Sequence, residues 1–215
     1  MSAQSRETAG RRIHGLDAGE REAQRRAAIL DAALTVFAKQ GYANTSVEQV
    51  CAAANVSTKS FYRIYDNRED LYSAVYAGFR ELAFTRMAAA IEQATTETPL
   101  QREDRLLNAL VDCYFADQRY ALVIQGPDRA VTPAVERLRR ESRQRAAGFL
   151  RETWRQRWGI EPAESLAIAV MGGIFDLFAM AIVDGEPLSG EQLVELRQSV
   201  KAFYAAVRAG AQSVR

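Results

Sequence analysis

The chain has 215 residues, of which 48% are hydrophobic and 26% charged, and its formal net charge is only +1. This composition is that of an average globular protein, so it excludes a collagen-like, a wholly disordered or a disulfide-stapled chain, and equally a polybasic coat for nucleic acid. The charge is nevertheless uneven, because residues 1–68 carry 10 Lys and Arg against 7 Asp and Glu, while the remaining residues carry 18 against 20.

The sequence offers little material for catalysis or for metal binding. Its two cysteines, Cys51 and Cys113, lie far apart in apolar surroundings at no metal or redox spacing, and His14 is the single histidine. The sequence also contains no phosphate-cradling glycine loop and no motif of a serine or zinc hydrolase. We therefore expect no enzyme, no bound metal and no cofactor.

The N-terminal residues predict a cytoplasmic protein with a disordered arm. Residues 1–20 are polar and lack the apolar stretch of a secretory signal. They also show little helical periodicity, which favours disorder.

One long apolar run tests the expectation of a soluble chain. From Leu166 to Val183 the run LAIAVMGGIFDLFAMAIV holds a single charge, Asp176, and is of borderline transmembrane length. The carboxylate in its second half and the acidic flanks disfavour a membrane span. A helix that is apolar on nearly every side is buried on nearly every side, so we expect a subunit interface and no membrane contact.

Helical signals repeat along the sequence, whereas no stretch has convincing strand alternation. A first helix is predicted from about Glu22 to Lys39, with Gly41 as its left-handed stop. Thr45 and Glu48 form a capping box that opens a short second helix.

A tight turn then leads into a third helix, which Ser57 caps and which is predicted from Thr58 to about Tyr65. Asn67 caps a long fourth helix that continues to roughly Ala90. Two short helices joined by a tight turn and braced by a longer helix are the plan of a helix-turn-helix DNA-binding unit.

The third helix has the side chains expected of a recognition helix. Residues 58–60 are small or polar and are expected to reach base edges in a major groove. Phe61 and Tyr65, one turn apart, are expected to pack inward. Tyr62 and Arg63 are expected to point sideways, where phosphates lie.

Residues 25–79 resemble the DNA-binding region of the TetR family of transcriptional regulators. The resemblance is carried by the segment ILDAALTVFAKQGYANTSVEQVCAAANVSTKSFYRIYDNREDLYSAVYAGF. Lys59, Ile64 and Tyr65 depart from the residues that are frequent in the family. The resemblance implies an all-α protein, with an N-terminal three-helix helix-turn-helix domain and a C-terminal helical domain for ligand binding and dimerisation.

This plan divides the chain into a disordered arm (1–20), a helix-turn-helix domain (21–68), a connecting helix (69–90) and a ligand-binding and dimerisation domain (91–215). A helix N-terminus also attracts anions, which adds Thr45 as a phosphate contact. The resemblance adds Arg68, the basic residue at the start of the fourth helix. The predicted DNA-binding residues are Thr45, Ser57, Thr58, Lys59, Ser60, Tyr62, Arg63 and Arg68.

Aromatic residues on the predicted helices beyond residue 90 could line an apolar pocket. Core packing explains each of them alone, but the resemblance implies a pocket for a small effector, which we expect to be apolar or aromatic. Asp112, Arg151 or Asp176 could orient a polar group of that effector. The candidate pocket residues are Tyr114, Phe115, Tyr120, Phe149, Trp154, Trp158 and Phe175.

Two helices, at about 162–184 and 191–209, are predicted to end the chain, and Ser189 with Gln192 forms a capping box for the second. Paired with the same helices of a second subunit, they would form a four-helix bundle with two-fold symmetry. Such a homodimer has the symmetry that a palindromic DNA site requires. The predicted interface residues are Phe178, Leu193, Leu196, Val200 and Phe203.

Together these features favour a ligand-responsive transcriptional regulator of the repressor type. It would bind an inverted-repeat operator as a dimer and be released by a small-molecule effector. The alternative is a helical interaction or architectural module that keeps the fold without responding to an effector.

Overall fold

The computed structural model describes residues 18–92, 97–127, 129 and 132–213, and these residues form helices and connections without any strand. The all-α prediction is therefore confirmed. The helices, in chain order, are α1 (Ala18–Gln40), α2 (Val47–Ala53), α3 (Thr58–Tyr62), α4 (Arg68–Glu92), α5 (Pro99–Phe115), α6 (Gln118–Gln125), α7 (Pro133–Trp158), α8 (Glu164–Ala181) and α9 (Gly190–Ser213).

Most of the predicted disordered arm, residues 1–17, lies outside the described residues, and so does His14. The first helix begins at Ala18, earlier than the predicted start at Glu22. It therefore takes up the last residues that were assigned to the arm.

The helices α1, α2 and α3, which we call the head, pack around a small apolar core. Ile29, Val50 and Phe61 are fully buried in it. Gly41 ends α1 as predicted, since it has a φ of 77° and its N–H donates to the carbonyl of Phe37 at 2.9 Å. This core holds α3 at a fixed angle to α1.

The second helix is capped one residue later than predicted. Its N-cap is Ser46, whose side chain accepts the Gln49 N–H, while the Gln49 side chain accepts the Ser46 N–H. The capping box of Thr45 and Glu48 is therefore wrong. Thr45 is 1% exposed, and its hydroxyl donates to the carbonyl of Gly41.

The third helix has its predicted cap but is shorter than predicted. The Ser57 side chain accepts the Ser60 N–H at 3.2 Å, as expected for an N-cap. The helix ends at Tyr62 rather than at about Tyr65. The chain then turns into α4, so the recognition helix is only about one and a half turns long.

The long helix α4 runs from the head into the C-terminal helices without a break. Asn67 caps it as predicted, because its side chain accepts the Asp70 N–H at 2.9 Å. The first half of α4 packs against α1 through residues such as Val75, and the second half packs against α5 and α7. One helix thus belongs to both parts of the fold.

The helices α5 to α9 extend the apolar core of the head, and there α8 packs against α7 and α9. The indole N–H of the fully buried Trp154 donates to the hydroxyl of Tyr204, which joins α7 to α9. The predicted capping box of Ser189 and Gln192 at the start of α9 is confirmed by its two reciprocal hydrogen bonds, at 2.8 and 3.3 Å.

A glycine allows α8 and α9 to approach each other closely. A Cβ on Gly173 would lie 2.5 Å from the ring atom Cζ of Phe203. Phe203, a predicted interface residue, therefore packs on α8 of its own subunit.

We expect Gly173→Ala to lower the midpoint of thermal unfolding, although alanine is the better helix former. The gain in helix propensity is about 1 kcal/mol, but displacing the Phe203 ring from a packed contact costs about 1–3 kcal/mol. Gly148→Ala in α7 is the matched control, because no atom lies within 4 Å of its added Cβ. It should raise the midpoint. Calorimetry that finds both variants equally stabilised would contradict the close packing of α8 on α9.

Candidate nucleic-acid interface and internal cavity

The N-terminal end of α3 presents small polar side chains to solvent. Ser57, Thr58 and Lys59 are exposed, and Ser60 is half-buried with its Oγ accepting a hydrogen bond from the Ser57 hydroxyl at 3.0 Å. A helix whose N-terminal end is exposed can enter a major groove with these side chains toward base edges. The four predicted residues 57–60 thus lie together at the accessible N-terminal end of α3.

Two aromatic residues anchor α3 to the rest of the head, as predicted. Phe61 is fully buried and Tyr65 is 3% exposed, with their ring centroids 5.7 Å apart. The Arg26 guanidinium of α1 lies 5.5 Å from the centre of the Tyr65 ring. These contacts fix the position of α3 relative to α1.

Tyr62 and Arg63 lie on the outer side of α3. Tyr62 is 54% exposed, and its ring stands edge-on to that of Phe61 at 5.3 Å. The exposed Arg63 has its Nε 3.8 Å from the Glu22 carboxylate, an ion pair that is weak in water. Both side chains are accessible to a phosphate, as the sequence predicts.

Two of the predicted DNA contacts have partners within the head. The Arg68 guanidinium donates to the carbonyls of Ala43 and Thr45 and lies 4.2 Å from the centre of the Tyr42 ring. The Thr45 hydroxyl donates to the carbonyl of Gly41. Arg68 therefore holds the α1–α2 connection on the start of α4, and the structure does not favour phosphate contacts by these two side chains.

An apolar cavity of about 90 Å³ lies between α4, α5, α7, α8 and α9. Its lining on α4 extends from Tyr76 to Met87, which corresponds to about 16 Å along a helix axis. The lining is therefore extended along α4. Three of the predicted pocket residues line it, namely Tyr114, Phe149 and Phe175.

The other four predicted pocket residues do not line this cavity, so their role in an effector pocket stays a prediction. Phe115 packs edge-on against Phe178 at 5.4 Å, and Trp154 is bonded to Tyr204. Trp158 lies under the Arg208 guanidinium at 4.2 Å. Tyr120 borders a groove between α1 and α4. The four residues are Phe115, Tyr120, Trp154 and Trp158.

The three polar residues proposed to orient an effector also lie outside the cavity. Asp176 is exposed, and the Asp112 carboxylate pairs with Arg197 at 2.5 Å. The Arg151 guanidinium donates to the carbonyl of Pro162 at 3.2 Å. The polar groups that do line the cavity include Tyr76, Arg80 and Ser142 toward the head, and Glu103 and Tyr204 toward the other end.

Burial controls the protonation of the groups around the cavity. It raises the pKa of the Glu103 carboxyl, an effect that the Arg208 guanidinium at 2.8 Å opposes. It also raises the pKa of the Tyr114 hydroxyl and brings that of the Cys113 thiol to about 11. Tyr114 and Cys113 are therefore neutral at physiological pH.

Only some of the predicted interface residues are accessible to a second subunit. Phe178 and Val200 are fully buried, and Leu196 is 6% exposed, so the prediction is wrong for these three core residues. Leu193 and Phe203 are half-buried. The large apolar side chains that are exposed on α8, on α9 and in the connection between them are Met180, Val183 and Val194.

The helix α6 is tied to the head by Arg119. Asp117 holds the guanidinium with hydrogen bonds of 2.7 to 3.1 Å, and these bonds lower the pKa of the Asp117 carboxyl. The Arg119 Nη1 then reaches Asp31 at 3.0 Å and Thr35 at 2.7 Å, both on α1. Head and C-terminal helices are thus linked by polar bonds as well as by α4.

Arg68→Ala should lower the free energy of unfolding by about 1–3 kcal/mol, because it removes charge-assisted hydrogen bonds to two backbone carbonyls. Arg63→Ala is the matched control, since its ion pair is long and exposed and should contribute less than about 1 kcal/mol. Urea unfolding of the two variants measures the difference. Equal effects would mean that Arg68 does not hold the α1–α2 connection in place.

Known proteins resemble this chain in its head. Residues 29–75 match the family model described as bacterial regulatory proteins, tetR family. A 44-residue stretch is 36% identical to the negative transcriptional regulator IcaR of the biofilm operon icaADBC from Staphylococcus epidermidis. This stretch is 20% of the present chain and 24% of IcaR, so the match spans about a quarter of that regulator.

Solved structures resemble nearly the whole chain. The fatty acid degradation regulator FadR from Bacillus halodurans has a TM-score of 0.67 at 18% identity, over 86% of this chain and 95% of that one. FadR from Bacillus subtilis, solved with stearoyl-CoA, has a TM-score of 0.62 at 20% identity, over 82% and 95%. Such identities show a shared fold. The matched segment, with its capped α3 and its bracing α1 and α4, is thus similar to the tetR family of bacterial regulatory proteins.

Proposed function

We propose that the protein is a ligand-responsive transcriptional repressor that binds an inverted-repeat operator as a homodimer. The observation that carries this proposal is the accessible N-terminal end of α3, which lies within the residues that match the tetR family. The description of IcaR as a negative regulator supports repression rather than activation. We expect the protein to act in the cytoplasm, without catalysis.

On DNA, α3 would lie in the major groove. Thr58, Lys59 and Ser60 would meet base edges, and Tyr62 with Arg63 would meet phosphates. Lys59 lies in the first turn of α3, where its positive charge opposes the helix dipole. A guanine or a phosphate beside it would offset that cost.

Dimerisation would use the outer side of α8 and α9. By length and composition α8 could span a membrane, but one such helix is weak evidence, because core helices of soluble proteins share these properties. Only 33% of α8 is buried within the subunit, and Met180 in its last turn is 71% exposed. A second copy of the hairpin would cover this apolar surface and place two α3 helices around a two-fold axis.

The cavity would hold the effector. FadR from Bacillus halodurans is described as a regulator of fatty acid degradation, and its Bacillus subtilis namesake was solved with stearoyl-CoA. An apolar cavity whose lining extends along α4 supports an extended apolar ligand here as well. Because α4 lines the cavity and also packs in the head, a ligand that displaces α4 would change the separation of the two α3 helices.

Lys59→Ala should weaken operator binding by about 1–3 kcal/mol and relax the preference at one base pair of each half-site. Tyr62→Phe removes one phosphate contact, so it should weaken all sequences alike. Lys201→Ala removes an equivalent charge on α9, where Lys201 pairs with Asp104 at 2.6 Å, and should leave binding unchanged.

The measurement is a selection of bound sequences from a random pool, followed by titration of each variant on the selected site. Equal losses of sequence preference in the Lys59 and Tyr62 variants would contradict the division of roles. A folded protein that selects no sequence would instead favour an interaction module.

Charge on the outer side of the hairpin should produce monomers. We expect the double variant Met180→Glu, Val194→Glu to lose the dimer, because two carboxylates per subunit would be desolvated in the interface. Leu100→Glu is the matched control, as Leu100 is a 59% exposed apolar residue of α5. Light scattering coupled to size exclusion at micromolar concentration measures the mass. A folded double variant that remains dimeric would place the interface elsewhere.

A further inference from the structure

Two arginines with incomplete hydrogen bonding lie near the head-side end of the cavity: Arg80 lines it, and Arg139 lies one helical turn before the lining residue Ser142 on α7. Arg139 is 7% exposed; its Nη1 pairs with Glu136, whereas its Nε and Nη2 are buried without a hydrogen-bond acceptor. Arg80 lines the cavity, and its Nε is likewise buried without a hydrogen bond. Buried guanidinium donors are costly to leave unsatisfied, so this end of the cavity is poised for an acceptor.

Tyr76 and Ser142 line the cavity beside Arg80, and the Ser142 Oγ is buried without a hydrogen-bond partner. Burial raises the pKa of Tyr76, while the nearby Ser142 hydroxyl and the charges of Arg139, Arg143 and Arg80 lower it. The positive charge of the arginines therefore favours an anion at this part of the wall.

The carboxylates near this end compensate the arginines only weakly. Glu81 and Glu141 approach Arg80 at 3.4 and 3.8 Å, and both carboxylates are 61% exposed, where water screens them. Glu136, the partner of Arg139, is 46% exposed. Positive charge therefore dominates the buried part of the cluster.

At the opposite end of the cavity the charged lining residue is a carboxylate, Glu103. It pairs with Arg208 at 2.8 Å, with side chains only 10% and 11% exposed, and the charge of Arg157 also acts on it, so an anion there would meet a carboxylate that already has cationic partners. Between the ends the wall is apolar and includes two methionines, Met87 and Met171, whose flexible side chains can adapt to a ligand. The cavity is thus polarised along its length, with a cationic end near the head.

We propose that the effector is an anionic amphiphile, in which a carboxylate or a phosphate is joined directly to a flexible apolar chain. The anion binds between Arg80 and Arg139, beside Tyr76 and Ser142, and the chain extends along α4 toward Met87. This inference rests on the proposed function only in taking the bound molecule as the effector. The anion then sits on the part of α4 that leads into the head.

The affinity of the site should therefore depend on the charge of the ligand and not only on the length of its apolar chain. A hydrogen bond to a charged group contributes about 1.5–3 kcal/mol, so a ligand with the anion should bind about 10- to 100-fold tighter than the same chain without it. Removing one arginine should lower that ratio. Keeping a positive charge there should preserve part of it.

The test compares three twelve-carbon probes, laurate, dodecyl phosphate and dodecanol, by calorimetric titration of the full chain below their aggregation concentrations. We expect the two anions to bind the wild type at least about 10-fold tighter than dodecanol. If laurate and dodecyl phosphate differ, the tighter one identifies the head group. Dodecanol binding as tightly as both anions would overturn the proposal, and so would the absence of binding by all three probes.

Variants locate the anion. Arg80→Gln and Arg139→Gln should each lower the ratio of dodecanol to laurate dissociation constants by about 10-fold, and Arg80→Lys should lower it less. Arg140→Gln removes the same charge from an exposed position of α7 and should leave the ratio unchanged. Ala146→Trp fills the cavity and should weaken all probes. Should Arg139→Gln fail to fold, Arg80→Gln decides alone.

An unchanged ratio in Arg80→Gln and in any folded Arg139→Gln protein would overturn the anion site, and unchanged binding to Ala146→Trp would overturn the cavity as its location. Operator binding without ligand is measured in parallel on each variant. If operator binding persists while the anion preference is absent, the ligand inference fails and the DNA-binding proposal stands. If the preference is present but no operator is selected, the reverse holds.

Discussion

The structure depends on one constraint, namely that a single uninterrupted helix packs both in the head and among the C-terminal helices. The first turns of α4 are buried in the head through Leu71 and Val75, and the following turns line the cavity from Tyr76 onward. A packed core tolerates little change in volume, so a shift of α4 that relieved crowding at the cavity would have to be accommodated in the head. Coupling of this kind would need no flexible linker. It would follow from the rigidity of the helix and the density of the packing around it.

Phe79 shows how direct this coupling is. Its ring lines the cavity and also borders the groove between α1, α4 and α6. It touches Tyr114 on the cavity side at 4.6 Å and Tyr120 on the α6 side at 5.2 Å. Since Arg119, the neighbour of Tyr120, is bonded to α1, pressure on Phe79 reaches the head through α6 as well as along α4. Two parallel connections make a shift of the head more uniform than either would alone.

Local sequence signals predicted the helices, the tight turn before α3 and three of the caps, because capping and periodicity depend on residues within one or two turns. They failed where two local patterns overlapped. Thr45 with Glu48 and Ser46 with Gln49 both fit a capping box, and burial of Thr45 against Gly41 decided for the second. The role of Arg68 was not predictable either, because its acceptors are backbone carbonyls that leave no trace in the sequence.

The same limit applies to the cavity and the interface. Aromatic content predicted a pocket among the C-terminal helices, but which rings face a cavity depends on how the helices rotate against one another. The helix α8 is apolar on nearly all sides, so the spacing of its apolar residues does not distinguish the side that faces its own core from the side that faces a partner. By sequence pattern Phe178 and Val200 therefore fit an interface, although both are buried in the core.

Asp176 places a further constraint on how two copies could meet. It is an exposed acidic residue in the second half of α8, one residue from Phe175, which lines the cavity. In an isologous interface each residue near the axis faces its own copy, so two Asp176 carboxylates at the centre would repel each other in a desolvated setting. The two-fold axis must therefore pass away from Asp176, toward the apolar end of the hairpin at Met180, or Asp176 must meet a cation of the other subunit. Because Met171 and Phe175 line the cavity on the same helix, a ligand that moves α8 would act on this contact and on α4 together.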